Sequence, residues 1–314
     1  MKENIYIKQW LELKPYKKQS AVDSYYLSIA NKVLKCFFTK QALPTFIYLG
    51  NEDLKMLSCF LTSYFEDIIS ETNTWNTFTK MHSQKYGKRL PFYATDEYYE
   101  GEINIQDVAF LIWYFMNTVQ DENFISPFNE FINNIAAQVM DIFEDEYEFA
   151  PENTRLNPFY TIDLNESDYY KVRELIEVVL FRSYLFYTDT NKRLRDLFNE
   201  LAEEKQDEYL MQYFQEGHDA LLHMAHTRLM SVKGSVWSAE LLGENHPLHN
   251  DLMEMSPRIN GYFLYKGDDA ENVFIEHIAS GKNFNLTKKS FDYSHELMED
   301  NILRVFNRTG KVLH

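Results

Sequence analysis

Residues that could bind a metal ion occur close together in the last third of the chain. At the spacing of an α-helix, Asp219, His223 and His226 fall on one side of a helix predicted over 206–230. One carboxylate and two imidazoles are ligands that suit zinc, nickel or iron. The three residues could therefore hold a divalent transition metal, and the competing interpretation is a solvated polar face.

Other histidines near this segment neither complete nor exclude the metal site. His246 and His249 could supply two more ligands, but Pro247 favours a loop without fixed geometry. The pair His218-Asp219 resembles that of helical metal-dependent phosphohydrolases, which take their other ligands from neighbouring helices. His82, the one histidine that precedes this region, does not fit that pattern. A metal-dependent hydrolase is therefore the alternative hypothesis for function, and no cofactor is expected otherwise.

Negative charge is concentrated in one block of the chain. Residues 90–154 carry 14 acids and no lysine or arginine. Within this block, the spacing of three and four between Asp141, Glu144, Asp145 and Glu148 predicts one stripe along a helix, here called the acidic stripe. Its carboxylates repel one another and oppose the helix dipole at a predicted C-terminus, which indicates that something offsets their charge.

Several explanations of the acidic stripe stay open. Bases from residues 155–216, among them Arg173, Arg182 and Arg195, could pair with it, or water alone could solvate it. A basic protein partner could bind it, and so could a divalent cation, although no calcium-loop spacing is present. A partner would make the protein a non-catalytic interaction or scaffold protein with an acidic binding face, which is the main hypothesis for its function.

Four smaller features have simple interpretations. The basic residues within 86–89 could grip a phosphate, but the segment lacks the glycine spacing of a phosphate-binding loop. Glu66 and Asp67 flank an apolar helical stripe, which predicts surface or ion-paired acids rather than catalytic ones. Cys36 and Cys59 lie in apolar runs typical of inert core thiols. The many aromatic residues are likewise more typical of a core than of a ligand site.

Composition excludes several classes of protein. With 31 basic and 48 acidic residues, the formal net charge is −17, so we expect neither nucleic-acid binding nor attraction to anionic membranes. The longest wholly apolar run has nine residues, at 108–116, whereas a membrane span needs about 20. No secretion signal is visible, and the two cysteines are consistent with a reducing compartment. These observations predict a cytoplasmic protein.

Glycine divides the chain into two parts. Three glycines occur in the first 216 residues and seven in the last 98. Because glycine disfavours helices and suits turns, this predicts a helical domain over 1–232, a connecting segment over 233–254 and a small β domain over 255–314. The fold class is therefore α+β, mainly α, with an irregular helical bundle before a small twisted sheet or barrel that packs on the helices.

Periodicity predicts the individual elements of both parts. Apolar residues spaced three and four apart predict seven helices, at 23–38, 54–69, 104–116, 126–150, 168–186, 190–202 and 206–230. Alternating residues bounded by turn signals predict short strands, at 261–266, 272–279, 283–287, 302–306 and 312–313.

A set of short strings carries a resemblance to a known family. The strings contain aromatic and charged residues and lie mostly before residue 160: Lys14-Pro15-Tyr16 with Asp23, Tyr25-Tyr26, Tyr64 to Asp67, Tyr86 to Tyr93, Ile103-Asn104, Trp113-Tyr114, Glu146 to Glu148 and Ala150-Pro151. Together they resemble a domain-of-unknown-function family from gut-associated bacteria. The resemblance implies a bacterial, cytoplasmic protein and no particular activity.

Overall fold

Helices form the first part of the chain and an antiparallel sheet forms the last, as the sequence predicts. The structure is a computed structural model that describes residues 4–120, 123–164, 169–204, 210–255, 259–288 and 302–306. The fold class is α+β, mainly α, and this part of the prediction is confirmed.

The helices of the described residues vary in length from four residues to 19. They are α1 Ile7–Leu11, α2 Asp23–Cys36, α3 Asn51–Ile69, α4 Thr74–Tyr86, α5 Ile105–Val119, α6 Glu130–Tyr147, α7 Asn157–Tyr160, α8 Tyr169–Arg182, α9 Thr190–Glu204, α10 Leu210–Met224, α11 Gly234–Leu242 and α12 His249–Met253. Two stretches are 3-10 helices, at Lys40–Ile47 and Tyr184–Phe186.

Helices α3 and α5 lie in the centre of the helical part. Helix α5 has apolar side chains on all sides, and its residues Val108, Leu111 and Ile112 are fully buried. Burial on every face is what a helix without a polar side requires. Each large apolar side chain removed from water contributes about 1.5–3 kcal/mol, so these two helices supply much of the stabilising core.

The sheet has four antiparallel strands in the order β3-β2-β1-β4. They are β1 Asn260–Asp268, β2 Asn272–His277, β3 Asn283–Thr287 and β4 Ile302–Phe306. A small apolar cluster of its own holds the sheet, with Phe263 and Tyr265 from β1 and Val273 and Ile275 from β2. The predicted strand at 312–313 lies outside the described residues.

Several helix boundaries differ from the prediction. Helix α6 begins at Glu130 rather than at 126, after a turn in which Asn129 N bonds Ser126 O. The helix predicted over 168–186 breaks at Ser183, whose backbone is extended.

The long helix predicted over 206–230 ends at Met224, because Thr227 N donates to Val232 O instead of continuing the helical pattern. The segment predicted as a connection contains α11, whose Trp237 is buried in the helical core. The domain boundaries stay a prediction.

A buried ion pair ties the N-terminal segment to α3. Lys14 Nζ contacts a carboxylate oxygen of Glu66, and these side chains are 2% and 0% exposed. Ser63 Oγ lies 3.1 Å from the same ammonium, and Asn153 Nδ2 donates to Glu66 at 2.7 Å. Glu66 is therefore ion-paired, as one of the two predictions has it, but it lies in the core rather than on the surface.

A second buried carboxylate extends this network. Asp23 accepts hydrogen bonds from Trp10 Nε1 at 2.8 Å and from the Tyr16 hydroxyl at 2.9 Å. Asn153 Nδ2 also donates to the Tyr16 hydroxyl, at 2.9 Å, which joins Asp23 to Glu66. Buried polar groups that are satisfied in this way fix one arrangement of the segments that carry them.

Asp67, the next residue on α3, holds the beginning of α4. Its carboxylate accepts the backbone N–H groups of Thr74 at 3.2 Å and Trp75 at 2.8 Å, and the Tyr184 hydroxyl at 2.9 Å. A carboxylate at this position satisfies orphan donors of the first turn and interacts favourably with the helix dipole. The expectation of a surface acid is wrong for Asp67, which is buried.

The buried ion pair should dominate stability in a denaturation experiment. Lys14→Met leaves the Glu66 carboxylate buried without its cation, so the free energy of unfolding should fall by about 3–5 kcal/mol. Urea denaturation measures this difference. Asp196→Asn breaks the exposed pair Lys192–Asp196 and should cost less than about 0.5 kcal/mol.

A double variant tests the cause of the loss. Replacing both partners, in Lys14→Met with Glu66→Leu, removes the unpaired charge and should recover at least half of the lost stability, because apolar side chains of similar size often substitute for a buried pair. A cost below about 1 kcal/mol for Lys14→Met alone would contradict the importance of this pair.

Candidate functional site

The acidic stripe lies on an exposed face at the end of α6. Asp141, Glu144 and Asp145 occupy the last two turns of this helix, and Glu148 is its C-cap residue. All four side chains are exposed. The helical spacing thus places the four carboxylates along one side of the helix end, where they are accessible to solvent.

The segment that leads into α5 forms a second wall opposite the stripe. Between the two walls lies an open groove of about 790 Å³, here called the acidic groove, whose second wall adds Glu97 and Glu102. No described residue that lines it is basic. Tyr99 and Phe149 also line the groove and are 64% and 73% exposed. The groove therefore combines six carboxylates with two accessible aromatic rings.

The bases that could have paired with the stripe have other partners. Arg173 pairs with Asp219, and Arg182 pairs with Glu177. The guanidinium of Arg195 stacks on the ring of Tyr187, 4.2 Å from its centroid. Within the described part of the chain, no ion pair joins a base to any carboxylate of the acidic stripe. These bases therefore do not offset its charge.

A neighbouring acid on the same helix shows the contrast. Glu146 points toward α2, where it contacts Lys32 and accepts a hydrogen bond from the Tyr25 hydroxyl at 2.5 Å. These contacts hold the pKa of Glu146 below its usual range, and the contact with Lys32 has the larger effect. Glu146, which pairs with a base, therefore lies at the same helix end as the acidic stripe but is not part of it.

The first turn of α5 offsets part of the negative charge. Asn104, Ile105 and Gln106 line the acidic groove, so the N-terminal end of α5 faces the carboxylates. A helix N-terminus carries the equivalent of about +0.5 charge. Against six carboxylates, this leaves most of the negative charge for solvent or for a bound partner.

One acid of the block lies in the core instead of on the surface. The carboxylate of Asp107 on α5 accepts hydrogen bonds from the Tyr64 hydroxyl at 2.8 Å and the Tyr98 hydroxyl at 3.1 Å. Burial raises its pKa to about 7, and these hydrogen bonds only partly oppose the increase. Near neutral pH, Asp107 is therefore close to half protonated.

Asp107 should make stability depend on pH. Its pKa is about 7 in the folded protein and about 3.9 in an unfolded chain, so the folded state binds the extra proton. The free energy of unfolding should therefore fall as pH rises from about 4 to about 7. The fall is at most roughly 1.4 kcal/mol for each unit by which the folded and unfolded pKa values differ. Urea denaturation at about pH 4.5 and about pH 7.5 measures the decline.

Asp107→Asn should flatten this decline, because the amide does not titrate. Some decline should remain, since burial also raises the pKa values of Glu66 and Asp67. Glu97→Gln, at an exposed position of the groove, is the matched control and should leave the decline unchanged. An equal decline in Asp107→Asn and in the parent protein would contradict this assignment.

The three predicted metal ligands do not form one helical face. Asp219 contacts Arg173, and His223 is buried. Helix α10 ends at Met224, so His226 lies beyond it in an isolated bridge with Lys233. The helical spacing that placed the three residues together therefore fails for His226, and no group of three or more ligating side chains suited to a metal occurs among the described residues.

A metal measurement tests the predicted site directly. Because Arg173 competes for the Asp219 carboxylate and His226 leaves the helix, we expect no stoichiometric zinc, nickel or iron. Elemental analysis of the purified protein checks this. About one metal ion per chain, lost in His223→Ala but retained in His277→Ala, would contradict the expectation and support the metal hypothesis.

Both cysteines agree with the core interpretation. Cys36 and Cys59 are buried and unpaired with each other. Burial raises the pKa of the Cys36 thiol to about 11 and that of the Cys59 thiol to about 12. A thiol with so high a pKa carries little of the reactive thiolate near neutral pH.

The second wall of the acidic groove was missed by sequence reasoning. Glu97 and Glu102 lie about 40 residues before the stripe, and only the packing of α5 beside α6 brings them to it. Tyr99 and Phe149 each lie next to an acid in the sequence, and this pairing of ring and acid could have indicated the groove. The search by helical spacing did not find Glu97 and Glu102, because neither residue lies in a helix.

The geometry defines a mainly helical α+β protein with an acidic groove, and comparison with known proteins adds its family. Residues 4–271 match the model of a family described as protein of unknown function (DUF3843). The chain belongs to this family, which confirms the resemblance to a domain-of-unknown-function family. Neither a curated protein nor a solved structure matches the sequence. No described helix has both the length and the apolar character that crossing a bilayer would require.

Proposed function

We propose that the protein is a non-catalytic interaction protein whose acidic groove binds a basic segment of a partner protein. The observation that carries the proposal is the absence of any pairing base for the stripe within the described residues, while the arginines considered as its partners contact other groups. Carboxylates left exposed and close together repel one another, and a bound cationic segment relieves that repulsion.

The shape and the side chains of the groove suit an extended basic segment. The cavity of about 790 Å³ is open to solvent along exposed carboxylates, so lysine or arginine side chains can enter from one side. Tyr99 and Phe149 present aromatic faces beside these carboxylates. An aromatic face attracts an ammonium or guanidinium group by about 0.5–1 kcal/mol at an exposed site.

The charge of the whole chain favours the same class of partner. A net charge of −17 accelerates encounter with a basic protein, and the acidic groove concentrates that attraction at one place. Such attraction weakens as salt is added, because the carboxylates are exposed. The metal-dependent hydrolase has less support, since Asp219 contacts Arg173 and His226 lies outside α10.

A labelled peptide tests the proposal without knowledge of the natural partner. The probe is a fluorescein-tagged peptide of about ten residues in which lysine and arginine alternate with glycine and serine, measured by fluorescence anisotropy. The control peptide has glutamine at every basic position. The basic peptide should bind measurably at low salt and the control should not, and binding should weaken at least about tenfold between about 50 and 300 mM salt.

A charge-reversal variant identifies the groove as the binding place. Glu144→Lys with Glu148→Lys should weaken peptide binding at least about tenfold, since it changes the local charge by four units. The melting temperature should stay within about 2 °C, because these carboxylates have no base partner among the described residues to lose. Glu200→Lys with Glu203→Lys makes the same charge change on exposed positions of α9 and should weaken binding less than about threefold.

Two results would contradict the proposal. Equal losses of affinity in the two double variants would mean that the peptide responds to net charge and not to the groove. A melting temperature lowered by several degrees in Glu144→Lys with Glu148→Lys would mean that the stripe is paired inside the protein and has a structural role.

A further inference from the structure

The second wall of the acidic groove is held by the side chain of Asn104, the residue before α5. Its amide oxygen accepts the backbone N–H of Tyr99 at 2.9 Å, and its amide nitrogen donates to the carbonyl oxygens of Tyr99 and Glu102, each at 2.9 Å. Tyr99 and Glu102 are two of the residues that this wall contributes to the groove. The orientation of Asn104 therefore sets the position of the wall.

Asn104 is in turn joined to the buried carboxylate of Asp107. Two tyrosine hydroxyls donate to Asp107 Oδ2, that of Tyr64 at 2.8 Å and that of Tyr98 at 3.1 Å. Asn104 Nδ2 lies 3.5 Å from the same oxygen, and the backbone N–H of Asn104 donates to the Tyr64 hydroxyl at 3.2 Å. A chain of hydrogen bonds thus runs from a fully buried acid to the wall of the acidic groove.

The other carboxylate oxygen of Asp107 has no hydrogen-bond partner among the described residues. An ionised carboxylate is stable in a core only where donors or a cation offset its charge, and here the donors all meet one oxygen. Burial accordingly raises the pKa of Asp107 to about 7. Near neutral pH the folded protein therefore has two forms, one with a proton on Asp107 and one with a buried negative charge.

The groups packed around this carboxylate are mostly uncharged. Tyr64 faces Asp107 from α3, and Tyr98 faces it from the segment before α5. Burial raises the pKa of both hydroxyls, so each stays a neutral donor near neutral pH. The indole of Trp75, on α4, also faces the carboxylate. Helix α6 packs beside α5, and within the described chain no hydrogen bond or ion pair joins it to Asp107.

One base acts on Asp107 but has a closer partner. The pKa of Arg89 is raised mainly by its hydrogen bond to Glu100 and to a smaller extent by Asp107. Its guanidinium lies 2.7 Å from Glu100, although Arg89 is one of the bases that could have gripped a phosphate. Because Arg89 is paired with Glu100, it offsets the charge of Asp107 only in part.

A cation in the acidic groove would offset more of that charge. Ile105 and Gln106, the first two residues of α5, line the groove, and Asp107 follows them in the same helical turn. Opposite charges attract more strongly where protein rather than water separates them, and salt screens a buried charge less than an exposed one. A lysine or arginine bound at this end of the groove therefore favours the ionised form of Asp107.

We propose that binding of a cationic segment in the acidic groove is linked to loss of the proton from Asp107, so that the groove binds more tightly above neutral pH than below it. This inference rests on the proposed function, because it concerns the regulation of the same groove. Linkage is reciprocal: a bound cation that favours ionised Asp107 is itself bound more tightly, by the same factor, when Asp107 is ionised.

The hydrogen bonds act in the same direction as the charge. A donor bonds an ionised acceptor more strongly than a neutral one. Once Asp107 has lost its proton, Tyr98 and Asn104 therefore hold the second wall more firmly. In the free protein ionisation leaves a costly buried charge, and a bound cationic segment relieves that cost.

Isothermal titration calorimetry with a basic peptide tests the linkage. The probe is a peptide of about ten residues in which lysine and arginine alternate with glycine and serine, acetylated and amidated so that it does not titrate near neutral pH. At fixed ionic strength, affinity should increase about three- to tenfold from about pH 6 to about pH 8. At about pH 7, measurements in two buffers of different ionisation enthalpy should show that binding releases a fraction of a proton.

Two variants of similar shape assign the proton. In Asp107→Asn, affinity should change less than about 1.5-fold between the two pH values, and the release of protons should disappear. Asp189→Asn is the matched control, because Asp189 is also buried, has a pKa raised by burial and does not line the groove. It should keep the pH dependence of the parent protein. Both variants retain every histidine, so histidine titration cannot cause a difference between them.

Tyr98→Phe tests the assignment without replacing the acid. The hydrogen bond from Tyr98 lowers the pKa of Asp107, so its loss should move the midpoint of the affinity increase to higher pH. A purely structural role of Tyr98 would instead weaken binding by the same factor at every pH. Circular dichroism checks that each variant is folded.

The outcomes separate this inference from the proposed function. Absence of peptide binding at both pH values would contradict both. Binding with equal affinity at the two pH values, or a pH dependence that persists in Asp107→Asn, would overturn the linkage and leave the proposed function in place. If Asp107→Asn does not fold, an unshifted midpoint in Tyr98→Phe would overturn the linkage in the same way.

Discussion

The buried pair between Lys14 and Glu66 sets the constraint on which the helical part depends. Two charges removed from water are costly, and the cost is repaid only in the arrangement that brings them together and satisfies their hydrogen bonds. Here that arrangement requires the N-terminal segment, the middle of α3 and Asn153 at one place. Segments far apart in sequence are thereby forced into a single register, which apolar packing alone specifies less strictly.

Two other side chains of α3 form buried hydrogen bonds that position α4 and α5. Asp67 holds the first turn of α4. Tyr64 donates to Asp107, which fixes the beginning of α5 beside the acidic groove. Two positions of one buried helix, Tyr64 and Asp67, therefore hold the first turns of α5 and α4, and a loss of either set of bonds should disturb more than local packing.

Periodicity predicted what depends on neighbours in the sequence and missed what depends on distant ones. The all-apolar run of α5 and the alternation in β1 to β3 predicted core and sheet correctly. Glu66 and Asp67 were predicted to be surface or ion-paired acids, and their burial was missed because their partners Lys14, Asn153 and Tyr184 lie up to 117 residues away. Physical pairing at that separation leaves no periodic signal.

The candidate sites show the same limit. The acidic stripe was predictable because its four residues share one helix, whereas Glu97 and Glu102 reach the groove only through packing. The metal face was predicted by extending α10 to His226, but the hydrogen bond from Thr227 N to Val232 O ends the helical pattern.

Helix α5 contributes to the acidic groove through its N-terminal end. Asn104 and the first residues of this helix, Ile105 and Gln106, line the groove. The dipole of α5 is positive at this end, which lowers the cost of gathering carboxylates there. The equivalent of about +0.5 charge does not balance six carboxylates, so a cationic segment that enters the groove meets a large excess of negative charge.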